Sequence, residues 1–183
     1  DIIKQLGTDG LRLWVASIDY TDDAIVSDVL MKNVQEVLRK IRNTCRFLLS
    51  NLYDFDINSD AVPFDQLSMI DQYALQELVV FNQTITGHYQ AYNFTAVFHQ
   101  LADYCSVQLS SFYLDIVKDR LYVEKAHGPL RRSAQTVCWY LLDTLTKLMA
   151  PILSFTAEQL SDHYQRDKQE SIHLQAFAQL DAL

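Results

Sequence analysis

From Ser27 onward apolar side chains return every three or four residues, and the chain is best read as a succession of helices. Leu30, Val34, Val37, Leu38, Ile41, Cys45 and Leu48 fall on one side of such a helix. Ser27 stands ahead of them as a cap and Asp28 sits in the first turn, so this element is predicted to run to about Leu52. Turn formers then crowd Asn51 to Pro63 and predict the longest loop. Periodicity resumes near Ser68, where Ile70, Tyr73, Ala74, Leu78, Phe81, Ile85 and Tyr89 predict a second helix that ends around Gly87. A third, from Asn93 to about Leu121, carries Phe94, Val97, Phe98, Leu101, Tyr104, Cys105, Leu109, Phe112, Tyr113, Ile116 and Val117 as its apolar series.

The chain turns at Ala126-His127-Gly128-Pro129, and a fourth helix is predicted from Leu130 to Ala150, with Ala134, Val137, Cys138, Leu141, Leu142, Leu145 and Leu148 inward. Pro151 stops it, and Thr156 with Glu158 starts a short fifth. Ahead of all of these, Leu11 to Ala16 is a compact apolar stretch that periodicity leaves open between a short helix and a strand. Long helices joined by short connections predict an all-α fold, an antiparallel helical bundle of about five helices, with no internal repeat.

Composition agrees with that reading. A chain of 183 residues that is 49% hydrophobic has the material for one substantial core, and four glycines and three prolines are too few to punctuate many short strands. It starts at Asp1 with no apolar leader, so a cut piece of a larger protein is expected. No apolar run approaches the roughly 20 residues of a membrane span. Cys45, Cys105 and Cys138 are odd in number, far apart and embedded in apolar helical patterns, which predicts buried, reduced thiols and a cytoplasmic setting. No metal site is expected from them.

Elements of catalysis are hard to find. The four glycines do not cluster ahead of a helix as a phosphate-cradling loop requires, the five histidines never pair at metal-ligand spacing, and no serine sits in a sharp Gly-x-Ser-x-Gly elbow. No catalytic residue is therefore assigned. Binding chemistry is more visible, although a net charge of -8 demands that any nucleic-acid site be local. Arg39, Lys40, Arg42 and Arg46 form one basic cluster, with Arg39, Arg42 and Arg46 on one helical face; Lys118, Arg120, Lys125, Arg131 and Arg132 form another. Arg131 and Arg132 open a helix, where the dipole disfavours cations, so either a carboxylate such as Asp119 or an external phosphate must hold them.

Several strings also resemble one family, in order and across almost the whole chain. They are Gly7-Thr8-Asp9-Gly10-Leu11-Arg12-Leu13-Trp14-Val15-Ala16-Ser17, Lys40-Ile41-Arg42-Asn43-Thr44, Ser111-Phe112-Tyr113-Leu114-Asp115 with Lys118-Asp119-Arg120-Leu121-Tyr122, Arg131-Arg132-Ser133-Ala134-Gln135-Thr136, and Met149-Ala150-Pro151-Ile152-Leu153-Ser154-Phe155-Thr156-Ala157-Glu158. The pattern is similar to the region that follows the catalytic core of isoleucyl-tRNA synthetases. The resemblance implies a class I aminoacyl-tRNA ligase that joins isoleucine to its tRNA with ATP and Mg, of which this chain is the anticodon-binding helical part. The family's HIGH and KMSKS signatures are absent, so no cofactor is expected in this piece.

On this reading the partners are the isoleucine tRNA and the missing catalytic domain of the same chain, with neither membrane nor DNA involved. Residues 1–20 join that domain, with Trp14 packing the joint and Arg12 fixing a carboxylate or carbonyl, and residues 21–183 form the anticodon-binding bundle. The expected tRNA-binding residues are Arg39, Arg42, Arg46, Lys118, Arg120, Arg131 and Arg132 on phosphates and Tyr122 as a stacking ring. The alternatives are a helical scaffold for protein partners, whose arginines are internal ion-pair residues, and the equivalent domain of a valine or leucine enzyme.

Overall fold

The computed structural model describes residues 2–21, 27–166 and 168–180, except for the side chains of Ile2 and Gln5. Helix is the only regular structure among them. The elements are α1 (Ile2–Ser17), α2 (Asp28–Ser50), α3 (Ile57–Asp60), α4 (Met69–Gln90), α5 (Phe94–Asp103), a π-helical stretch (Tyr104–Tyr113), α6 (Leu114–Val123), α7 (Pro129–Met149) and α8 (Ser154–Tyr164), with 3-10 turns at Phe64–Gln66 and Ile172–Leu174. Among the described residues no helix is long and apolar enough to cross a membrane. The all-α expectation holds, and the four long helices lie where their apolar periods placed them.

The undecided first segment is helical, and it is broken at Gly7, whose φ of 69° and ψ of 172° are open only to glycine. Beyond that break Leu13 is fully buried against the bundle. The loop expected from Asn51 to Pro63 is real but carries α3, which Asp56 caps by accepting from the Asn58 N–H.

α7 is the axis. Residues 131–138, 141–146 and 148–150 are all buried, so the helix has no solvent face along most of its length. Its apolar side chains meet the surrounding helices, while Arg131, Arg132, Ser133, Gln135, Thr136 and Asp143 are polar groups taken out of water and need partners there. Pro129 at the first turn costs no hydrogen bond, because that N–H has no helical acceptor.

The predicted third helix is continuous but not α-helical throughout. Its buried line, Val97, Leu101, Cys105, Leu109, Tyr113, Val117 and Leu121, steps by four residues each time. An α-helix closes a turn in about 3.6 residues, so such a line drifts by roughly 40° per step and would wind off the core face. The π turns between Tyr104 and Tyr113 take more residues each and absorb the drift. Ser110 and Ser111 mark the register by donating to the carbonyls of Cys105 and Ser106, five residues back. Phe112 in this stretch and Ile116 on α6 are exposed, as are Leu30 on α2 and Tyr73 on α4, which corrects the expectation that these four face the core.

The fifth helix begins at Ser154 rather than Thr156, and its cap comes from the far end of the chain. Asp9 accepts from the N–H groups of Phe155 (3.2 Å) and Thr156 (2.7 Å) and from the Thr156 hydroxyl (2.6 Å). A buried carboxylate at a helix start satisfies unpaired donors and matches the helix dipole. Arg12 on α1 binds the carbonyls of Ile152 and Pro151, so the same short helix anchors both the end of α7 and the start of α8.

After α8 the chain folds back, burying Ile172, Ala178 and Leu180, and Asn82 donates to the Ala178 carbonyl at 2.9 Å. α4 ends on Tyr92 at φ 55°, a left-handed residue in the position that glycine usually takes after a helix. Tyr92→Gly is expected to raise stability by up to about 1 kcal/mol, read as a higher midpoint in urea unfolding at unchanged slope.

Candidate nucleic-acid interface

The expected site residues divide sharply by burial. On the outer face of α2 Arg39, Arg42 and Arg46 are exposed one turn apart. Arg39 pairs with Glu36 at 2.7 Å, with both side chains about 60% exposed, and Arg42 donates to the Thr156 hydroxyl at 3.2 Å. Arg46 has no hydrogen bond or ion pair among the described residues. Its neighbour Phe47 meets Tyr122 edge to face at 6.4 Å, which brings the end of α2 beside the end of α6. Tyr122 remains 64% exposed, and Lys118, one turn before it, pairs with Asp115 at 2.8 Å on the surface. Arg39, Arg42 and Arg46 along α2, and Lys118 and Tyr122 on α6, are thus all accessible.

Arg120, Arg131 and Arg132 lie elsewhere in character. Arg120 makes a two-pronged pair with Asp71, at 2.8 and 3.0 Å. Asp71 is fully buried on α4 and also accepts from Tyr113, Ser68 and Ser133, so one carboxylate ties α4, the π-helical stretch, α6 and α7. Arg131 makes the equivalent fork with Asp54, at 2.6 and 3.0 Å, and donates to the carbonyls of Ala126 and Leu121. Arg132 reaches the Asp54 carbonyl, Gln135 and His127, with Asp60 at 3.5 Å.

The arginines that open α7 are therefore held by Asp54 and Asp60, not by Asp119 and not from outside. Arg131 and Arg132 are under a tenth exposed and turn most of their donors to partners inside the fold, whereas a phosphate contact needs donors free at the surface. Arg120 is likewise turned inward, its side chain 15% exposed against a carboxylate that is not exposed at all.

Asp54, Asp71 and Asp9 carry this architecture, and none stood out in the sequence. Asp54 and Arg131 are 77 residues apart, and no local spacing marks such a partner among 23 acidic residues. The Arg131 guanidinium, helped by Gln135, holds the Asp54 carboxyl at about 2, well below the usual carboxylate range. The cysteines are free and buried, and burial pushes the Cys45 and Cys138 thiols up to about 12, so they are not nucleophiles at neutral pH. Among the described residues no group of three or more His, Cys, Asp or Glu is placed to hold a metal ion. Trp14 is half-buried in an open groove of about 670 Å³ with Leu30, Val34, Val37 and Phe98.

Comparison with known proteins gives a consistent picture. Residues 71–183 match the family described as the anticodon-binding domain of tRNA ligase. Over 177 residues, 97% of the chain, the sequence is 42% identical to an isoleucine--tRNA ligase of Geobacter sulfurreducens. It is 45% identical over 174 residues to that of Coxiella burnetii and 48% identical over 174 residues to that of Halalkalibacterium halodurans. The chain spans only about a fifth of these relatives, 19% of each.

The buried pairs make two measurable claims. Asp71→Ala leaves the Arg120 charge inside the bundle without its counterion and should cost about 3–5 kcal/mol in denaturant unfolding. Asp54 has a folded pKa below its ordinary value near 3.8, so its stabilisation is fully present above about pH 5. It is lost as pH falls from 4 through about 2, and Asp54→Asn should remove roughly 2 kcal/mol of that acid-limb dependence in unfolding curves recorded across pH.

Proposed function

Because the chain belongs to the anticodon-binding domain family of tRNA ligases, we propose that it holds the anticodon arm of an isoleucine tRNA for an ATP-dependent, Mg-dependent isoleucine--tRNA ligase. The activation of isoleucine belongs to the catalytic part of that ligase, in the cytoplasm. α1 is the joint to it on this reading, since its outer side keeps Ile3 and Val15 in solvent.

The observation that carries the proposal is that Arg39, Arg42 and Arg46 are exposed along α2, whose end meets the exposed Tyr122 of α6 through Phe47. Surface pairs such as Arg39–Glu36 and Lys118–Asp115 are screened by water and add little to stability, so a phosphate can displace the carboxylate at little cost. Among the described residues Arg46 has no pair to give up. Phosphate contacts from these cations orient the arm, and an unstacked base on Tyr122 contributes to reading it.

Binding of the full-length protein to isoleucine tRNA and to an anticodon-substituted version, across a salt series, tests this. Preference for the matching anticodon is expected, with affinity falling as salt rises. Arg46→Ala should flatten the log-log salt slope by about 0.7–0.9, one phosphate contact, while weakening both RNAs alike. Equal, salt-insensitive binding of the two RNAs would overturn the reading.

A further inference from the structure

Tyr53 lies in the loop directly after α2 and is 76% exposed, more than Tyr122. It has no place in the core, yet it is not free to wander. The Arg131 guanidinium lies 5.8 Å from the centre of its ring, a cation–π contact made by a cation that is itself buried and locked on Asp54, the residue next to Tyr53. Arg131 also donates to the carbonyl of Leu121, the residue before Tyr122. One fixed guanidinium therefore connects the backbones that present both tyrosines. Tyr122 is steadied separately by the edge of Phe47.

We propose that Tyr53 and Tyr122 form a two-ring platform that stacks two unpaired bases of an RNA loop, with Arg131 as the positioning residue beneath it. A ring supported by a buried cation has its orientation set before any ligand arrives, and the ordering cost normally charged to binding is reduced. Stacking accepts any base, because every base has a π face, while the cations at this end supply the backbone contacts. Arg46 adjoins Phe47, Lys118 precedes Tyr122 by one turn, and Lys125 is exposed in the loop that follows. Arg131 is spent internally, and its contribution to RNA binding passes through the Tyr53 ring.

The competing role for Tyr53 is shielding: the ring keeps water from the Arg131–Asp54 fork and touches no RNA. The two roles part under substitution. Tyr53→Phe keeps both functions. Tyr53→Leu keeps apolar cover over the ion pair but offers no π face. Tyr53→Ala removes both.

This inference rests on the tRNA reading above, and the experiment separates the two. The probe is an isoleucine tRNA carrying 2-aminopurine at single positions of the anticodon loop, bound by the full-length protein, with unfolding midpoints recorded for each variant. On the platform reading Tyr53→Leu and Tyr53→Ala both weaken binding about 5- to 150-fold and restore fluorescence at one loop position, since base–aromatic stacking is worth about 1–3 kcal/mol per base. Tyr122→Ala restores it at another position, and Tyr53→Phe behaves as the parent. If Tyr53→Leu leaves affinity and quenching intact while anticodon preference persists, the platform is wrong and the tRNA reading stands. If the unsubstituted protein shows no anticodon preference, both fall.

Discussion

Two positive charges at the start of the central helix determine how this bundle closes. A guanidinium inside a protein must be met by a counterion and by acceptors for its remaining donors, or the helix carrying it cannot be buried. Arg131 and Arg132 both find Asp54, and the remaining donors go to Leu121, Ala126 and Gln135 and toward His127. That arrangement specifies the position of the loop after α2 against the turn between α6 and α7. The same loop displays Tyr53 and the same turn follows Tyr122, so an internal electrostatic requirement places the exposed groups at this end of the molecule.

Asp71 does the corresponding work on the other side of α7, where it receives Arg120, Tyr113, Ser68 and Ser133 together. Such a carboxylate contributes little net stability compared with well-packed apolar groups, because desolvation offsets most of the attraction. Its consequence is specificity of arrangement. Four elements meet there in one register, and the π-helical turns that deliver Tyr113 to Asp71 are part of it.

The helices were legible because burial on one face writes a period into the sequence, and α2, α4 and α7 begin within a residue or so of their apolar series. What lay hidden had no local trace. The π turns look like a slightly long helical repeat, and an apolar series that includes Phe112 and Ile116 does not tell an inward side chain from an exposed one. Asp9 capping α8 and Asp54 holding Arg131 are contacts between residues 147 and 77 positions apart, and a sequence offers many carboxylates for each role. The puzzle of two arginines at a helix start was visible, since the dipole disfavours them there. Its answer was not, because an internal carboxylate and an external phosphate satisfy the same physical demand.

That ambiguity has a practical edge. Family strings rich in arginine invite the view that each cation touches RNA, and on the proposed reading removing Arg120, Arg131 or Arg132 would also reduce RNA binding. The loss would arise because a carboxylate deprived of its partner, buried Asp71 or part-buried Asp54 or Asp60, disturbs the bundle and the segments that carry Tyr53 and Tyr122, not because a phosphate contact had gone. A lost contact lowers affinity together with the salt slope and leaves the unfolding midpoint alone, whereas a lost internal pair lowers the midpoint first. With a net charge of -8, this chain cannot attract RNA by its overall field. On the proposed reading the few cations left on the surface act locally, on a surface that the arginines neutralised inside hold in shape.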